Sequence, residues 1–367
     1  MRSTIKLVPI ALLLALVLLH LYSCEESVKK KVLVRKPIDT IGFASYTWQM
    51  DSLIQRIERK RSFDTSFLAD SSSSALRLAI SPHDDYAYVG HLYPGLLKKI
   101  DANTVILFGV AHSARDFGLE DRLIFEDFDY WQRPQGNVKV SEIRKDLMEV
   151  LDTGIYKVHR PMHEKEHSLE ALIPFLQRFN PDIQIVPVLV PSMSYNRMLE
   201  VSEKMAASLA LIAKEKGWAW GDDFSILISN DAVHYGDQDW GGKSYARYGA
   251  DTAGYEMALE HEQEIITTCL ESELIPEKIK AFTAYTLSDE DYKTYKWTWC
   301  GRYAVPVGLL TAFYLQENLK EKELNGKLLE YSTSIKYTPI PVEDLNMGTT
   351  APAHIHHWVG YAAVAYE

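Results

Sequence analysis

The sequence predicts an α/β fold with a mainly parallel or mixed central sheet and helices on both faces. Three observations carry that expectation. Short β-branched or aliphatic runs occur at 75–80, 104–108, 183–190 and 224–228. Segments at 167–179, 198–216, 254–270 and 303–319 repeat apolar residues at three- and four-residue spacing, as amphipathic helices do. The first, second and fourth of the strand-like runs pass at once into polar residues rich in histidine and aspartate. Strands alternating with helices imply a sheet covered on both faces.

Two later segments, 335–340 and 359–366, read as further strands, the last one forming a sheet edge at the C-terminus. Pro174 inside the first helical pattern should kink or shorten that helix, because proline lacks the N–H and clashes one turn back. No internal repeat or low-complexity linker divides the chain.

At the N-terminus, Arg2 and Lys6 precede an almost unbroken apolar run at 7–21, which ends in Tyr22-Ser23-Cys24. This is the layout of an export signal, and the run is shorter than the roughly 20 residues a membrane-spanning helix needs. Small Ser23 before Cys24 resembles a bacterial lipobox, with Cys24 as the lipidated new N-terminus. An uncleaved membrane anchor is the alternative, because Tyr22 is not the commonest lipobox residue. Residues 1–23 are thus expected to be a signal peptide, 24–40 a flexible tether and 41–367 the folded domain. That places the domain outside the cytoplasm, in the cell envelope, lipid-anchored to a bacterial membrane.

The chain has 47% hydrophobic and 24% charged residues, which suits one large α/β domain. Its formal charge is −11, and loss of residues 1–23 would take it near −13, so nucleic acid is not an expected partner. With Cys24 assigned to lipid, only Cys269 and Cys300 remain, too few for a disulfide framework.

The chemistry collects after the strands. The polar turns are Ser81-Pro82-His83-Asp84-Asp85-Tyr86, Gly109-Val110-Ala111-His112-Ser113 and Ser229-Asn230-Asp231-Ala232-Val233-His234-Tyr235. Ligands bind outside the carboxyl ends of strands in open α/β sheets, so His83, His112 and His234 should converge in one crevice. Cys300, in Trp297-Thr298-Trp299-Cys300-Gly301-Arg302, stands just before a helical segment. There a thiol with a lowered pKa can serve as nucleophile or metal ligand; the alternative is a small buried apolar residue. The stretch from His163 to Glu170 reads as a helix start with Ser168 or a neighbour as cap and His167 leaning towards the crevice. His354-Ile355-His356-His357 has a metal-like composition without a matching partner cluster and reads by default as solvated or capping.

Five motifs, in this order, resemble the Memo-like family, which includes the bacterial AmmeMemoRadiSam system protein B. They are Pro82-His83-x-x-Tyr86-x-Tyr88-x-Gly90, Gly109-x-x-His112, Glu166-His167-Ser168-Leu169-Glu170 with Pro174-Phe175, Asp231-x-x-His234-Tyr235 and Cys300-Gly301-Arg302. The resemblance runs from about Leu76 to the end of the chain and implies a fold like that of the class III extradiol dioxygenases. It also implies a non-haem-iron-type pocket with a divalent metal held by His83, His112 and Cys300. Iron is the first expectation, with copper or zinc as alternatives, because a thiolate is softer than the carboxylate that extradiol enzymes use. Asp231 would orient a ligand or water, and His234 would act as acid or base. This chain departs from the family pattern in two places: Asp84-Asp85 stands where the small pair Ala-Gly is usual, and Ala111 where serine or asparagine usually precedes the second histidine.

The leading expectation is a metal-dependent redox or dioxygenase-like enzyme acting on a small-molecule or peptide substrate. The competing one is a non-catalytic lipoprotein that captures a metal, peptide or anion, with Arg302 and the aromatics Tyr86, Tyr88, Trp297 and Trp299 in recognition. Ser81-Pro82-His83-Asp84-Asp85 also resembles the metal motif of zinc-dependent deacetylases, with proline and histidine reversed and the later motifs unmatched.

Overall fold

Sheet strands form at the four β-branched runs that were read, and at further short segments that were not. In the computed structural model, which describes residues 31–61 and 76–367, they are β1 (Val34–Arg35), β2 (Leu78–Ser81), β3 (Thr104–Val110), β4 (Leu123–Phe125), β5 (Tyr130–Arg133), β6 (Gly136–Val140) and β7 (Tyr156–Val158). They continue as β8 (Gln184–Val190), β9 (Phe224–Ser229), β10 (His234–Gly236), β11 (Ser272–Glu273), β12 (Asn325–Thr333) and β13 (His357–Tyr366). The main order is β1-β5-β6-β8-β3-β9-β2-β13-β12-β11, with β8, β3, β9 and β2 all parallel. Leu33–Glu367 forms one compact unit.

Alternation along the parallel strands sends side chains to two cores. Ile106 and Phe108 of β3 join the core under the helices Tyr195–Lys216 and Ala304–Leu319, while Val105 and Leu107 join the one under Tyr93–Leu97 and Leu172–Phe179. Gly308 allows the close seating of the helix Ala304–Leu319, since a Cβ there would lie 2.5 Å from the Ile228 side chain. Ser194 accepts from the Arg197 N–H to start the helix Tyr195–Lys216, and Gly217 ends it in the left-handed region. Asp251 caps the helix Thr252–Cys269 in the same way.

Several expectations change in detail. The helix expected over 167–179 is shortened to Leu172–Phe179, with Pro174 in its first turn, where the missing N–H would be unpaired anyway. Ser168 is not a cap: its hydroxyl donates to the Val110 carbonyl, tying the preceding turn to β3. Residues 335–340 are turn and coil; the strand lies earlier, at β12, whose Asn-Gly-Lys-Leu-Leu-Glu sequence lacks a clean alternation. The C-terminal strand is not an edge. β13 lies between β2 and β12 and is buried along its whole length, as its continuous apolar run requires.

Cys24 and the apolar run at 7–21 lie outside the described residues. Within the tether expected over 24–40, Leu33 is already tied down, its carbonyl accepting the Asp129 N–H and its own N–H donating to Asp129 Oδ2, and Arg35 is buried beneath the 163–170 segment. Among the described residues no helix is long and apolar enough to cross a membrane.

His163, in the short helix Arg160–His163, is fully buried with Nε2 3.0 Å from the Ile124 carbonyl. Burial pulls its imidazole from 6.5 down to about 3. As pH falls through this window the unfolded chain takes up a proton that the folded chain refuses, so stability present above 6.5 is progressively lost. Denaturant titrations should show unfolding free energy dropping below that pH, with His163 contributing up to about 1.4 kcal/mol per unit. His163→Asn should make the slope shallower; an unchanged slope would contradict this account.

Candidate metal centre

Three adjacent parallel strands end at the site. β2 runs into His83, β3 into His112 and β9 into Asp231, and the register Ile80↔Ile228 and Phe108↔Ile228 brings those ends level. The crevice expected at the strand ends is therefore real, and it opens into a cavity of about 350 Å3 lined in part by His83, His112, His167 and His234.

Cys300 comes from the loop before the helix Ala304–Leu319 and sits beneath that cavity. Its N–H donates to the Asp231 carbonyl at 3.2 Å, and the Asp231 N–H points at its Sγ at 3.1 Å. Gly301 completes the clamp: its N–H donates to Asn230 Oδ1 at 2.8 Å, and any Cβ at this residue would fall 2.3 Å from that oxygen.

The nitrogen and sulfur atoms of His83, His112 and Cys300 that could hold a metal lie within 4.8 Å of one another. Hydrogen bonding fixes which ring nitrogens face inward. Ser229 Oγ donates to the Ser168 carbonyl, so it accepts from His83 Nδ1–H at 2.8 Å. That leaves the His83 Nε2 lone pair facing Cys300 Sγ at 3.7 Å. Ligands of a tetrahedral zinc-like ion would stand about 3.6 Å apart by ordinary bond lengths, so the pair fits a metal.

On the other side, His112 Nδ1 lies 2.8 Å from Glu166 Oε1. Burial alone would push the Glu166 carboxyl up; the charges of His112 and His167 and the bonds from His112 and the Ser168 amide outweigh it and hold the group well below the ordinary range. Glu166 is thus ionised, takes the Nδ1 proton as its donor and turns the second nitrogen of His112 outward. A carboxylate behind a histidine is the usual support of a metal ligand. His167, which leans in as expected, stacks on His112 with centroids 4.9 Å apart, and with Glu166 the two form a second three-ligand group.

The expectation of an activated thiol is not met. Burial, and then the adjacent Asp231, push the Cys300 thiol well above its ordinary range, while Arg302 opposes them only weakly. Without a metal Cys300 is a protonated thiol; a bound ion would deprotonate it.

Asp231 Oδ1 accepts the His83 backbone N–H at 2.8 Å, which orients the first metal-type residue. Burial, followed by the charge of Asp84, raises its carboxyl well above the ordinary range. His234 lines the cavity with Nδ1 3.3 Å from the Ala232 carbonyl, and burial brings its imidazole down to about 4, so it is neutral at pH 7.

Glu262 holds this side of the site from below. It accepts from the indole N–H groups of Trp297 and Trp299, both at 2.6 Å, and from the Tyr331 hydroxyl at 2.9 Å. Those tryptophans, with Tyr86 bonded to the Ala171 carbonyl and Tyr88 to that of Ala351, are packing and positioning residues and do not line the cavity. The cavity's aromatic lining is Phe43 and Trp240. Sequence reasoning also missed Asp39, Thr350 and His357 in the lining; His357 belongs to the histidine cluster read as solvated, and its ring stacks on Trp240 at 3.8 Å. The motif containing Glu166 was visible, but its role depends on a contact 54 residues away.

Parallel strands that deliver two histidines, and a loop that brings a thiol to them, beneath an open cavity define an α/β protein with a metal-type pocket. Comparison with known sequences gives the family. A profile described as Memo-like protein matches residues 41–342, and the chain belongs to that family. It is 32% identical over 162 residues to a MEMO1 family protein of Methanosarcina barkeri, covering 43% of this chain and 54% of that one. It is 27% identical over 176 residues to one of Methanothermobacter thermautotrophicus (47% and 58%), and 31% identical over 160 residues to one of Aquifex aeolicus (42% and 52%). The matches span about half the length of these curated relatives.

The raised thiol makes a direct prediction. In metal-free protein at pH 7, iodoacetamide should leave Cys300 unmodified over a period that alkylates it fully in denaturant, as read by peptide mass spectrometry. Rapid labelling of the native protein would contradict the buried, protonated state.

Proposed function

We propose that this chain is a metal-dependent enzyme of redox or dioxygenase-like type, with the ion held by His83, His112 and Cys300. The observation that carries this reading is the convergence of their ligand atoms within 4.8 Å, each imidazole being turned by a partner on its other nitrogen. Two nitrogens and a thiolate favour iron(II), copper or zinc over magnesium or calcium, and iron is the metal we assign first. When bound, the metal would supply Lewis-acid or redox chemistry at open coordination positions.

The chain's own groups do the rest. Ser229 and Glu166 fix the ligand tautomers. Asp231 holds the His83 backbone. His234, neutral and with its second nitrogen free of the Ala232 contact, is placed to take a proton from a substrate hydroxyl and return it later. Buried walls such as Phe43 and Val359 keep water from part of the cavity.

The location we propose rests on the sequence: the basic Arg2 and Lys6, the apolar run at 7–21 and Ser23-Cys24 support export and lipid attachment at Cys24. Expression with labelled palmitate should mark the parent chain and not Cys24→Ala.

Metal content of the anaerobically purified chain tests the main reading. The parent should hold near one equivalent of iron or copper and a His83→Ala, Cys300→Ala double variant none; a parent that takes up no added iron, copper or zinc sinks the proposal. Glu166→Gln should weaken metal binding about 10- to 100-fold. His234→Gln should keep the metal and lose turnover of any catechol-type substrate found by screening.

A further inference from the structure

Away from the metal-type residues, one surface is apolar where solvent would favour polar groups. Ile38, Ile41, Tyr46 and Trp48 all stand exposed within the stretch 38–48. From residue 49 onward the exposed large apolar side chains among the described residues occur singly, at positions such as Val150, Leu211 and Met257. The core does not need these four, because Phe43 and Ala44 of the same stretch, with Met50, Leu53 and Ile57 of the helix Thr47–Arg61, are buried in their place. Asp39 is the one charged residue between 38 and 48, and Trp48 is the one exposed tryptophan of the chain's eight.

The stretch follows β1, which ends the sheet order, and its backbone is tied down. Asp39 Oδ1 accepts the Ile41 and Gly42 N–H groups, both at 2.8 Å, and Gln49 Oε1 accepts those of Ser45 and Tyr46 at 2.7 and 2.9 Å. The Thr47 hydroxyl donates to the Pro134 carbonyl at 2.7 Å. A segment fixed in this way loses little freedom on binding, so its apolar side chains form a ready contact face.

The chain before the stretch says what covers it. The folded unit begins at Leu33, and the chain from Cys24 to that residue, at roughly 3.3–3.6 Å per residue, reaches at most about 30 Å. A lipid on Cys24 therefore holds this edge of the domain close to the headgroups. Lys29, Lys30, Lys31 and Lys36 flank the stretch with the charge that attracts anionic lipids, and tryptophan and tyrosine favour the membrane interface.

We propose that the stretch 38–48 is a membrane-docking surface, seated among the headgroups of the bilayer that carries the Cys24 lipid. This rests on the lipid attachment proposed above and adds the face by which the domain meets the bilayer. An acyl anchor gains from a second contact, which four apolar side chains on a fixed backbone supply. Ile38 also lines the cavity, so the docked bilayer borders the pocket.

Tryptophan quenching tests the surface, because the apolar run at 7–21 contains no tryptophan. The full chain is reconstituted into vesicles of phosphatidylglycerol and phosphatidylcholine, the latter brominated on its acyl chains near the headgroup. Emission should fall relative to unbrominated vesicles, and Trp48→Phe should abolish most of that loss; an Ile41→Ser, Tyr46→Ser double variant should reduce it. Should these variants fail to melt cooperatively, a nitroxide on Ile41→Cys reads the same contact, since Cys269 and Cys300 are buried. Its relaxation should respond more to lipid-soluble oxygen than to an aqueous nickel complex. No bromine quenching in vesicles that hold the chain, or an equal loss in parent and Trp48→Phe, overturns the proposal. Protection of Trp48 from aqueous acrylamide without bromine quenching also overturns it, and points to a second copy or the chain's own apolar run as the occupant. Palmitate labelling without quenching removes this surface and leaves the lipid attachment; quenching of Trp48 in a chain that takes no palmitate leaves the surface and removes the attachment.

Discussion

Glu166 lies fully buried between the end of β3 and the turn that leads into the helix Leu172–Phe179, and its two oxygens accept from four N–H groups. These come from the backbone and ring of His112 and from the amides of His167 and Ser168. Removing a carboxylate from water is unfavourable, and only such a full complement of donors, with the imidazole beside it, keeps it ionised. In return the charge sets the tautomer of His112, and the turn brings His167 onto the His112 ring. Arg35 donates to the Glu166 carbonyl and pairs with Glu170, which in turn accepts the Ile38 and Asp39 amides and so holds the rim of the cavity.

Glu262 plays the matching part on the other flank. Its bonds to Trp297 and Trp299 bracket Thr298, which exchanges bonds with His234, and the next residue along is Cys300. Burial raises this carboxyl above its ordinary range, and all four donors that reach it are neutral. One acidic residue thus positions the histidine ligand from β3 and the other the loop that bears the thiol. Both act across long sequence separations, so the site forms only with the complete sheet.

The same geometry separates what a metal would need from what a substrate would meet. The nitrogen and sulfur ligands lie at the floor, supported by Ser229, Glu166 and Asp231. The wall above carries carboxylates, His234, Trp240 and His357. Part of that wall comes from His357 and Val359 of β13, outside the residues 41–342 that the family profile matches.

The four long strand-like runs, the major helices and the residues His83, His112, Asp231, His234 and Cys300 were legible in the sequence, because buried parallel strands are continuous apolar runs and their ends are abruptly polar. The order of five short motifs was enough to indicate the family. Local pattern did not reveal that the last strand is central, that residues 335–340 are turn, or that Cys300 has a raised pKa, since neighbours from distant strands and loops decide each of these. The roles of Glu166, Ser229 and Glu262 and the place of His357 in the cavity likewise arise from contacts between residues far apart in the chain. The sequence by itself determined which chemical groups are present and roughly where each strand ends. Tertiary structure decided which nitrogen each histidine offers and which carboxyl groups are pushed up or held down, because those properties depend on burial and on hydrogen-bond partners that only the folded chain supplies.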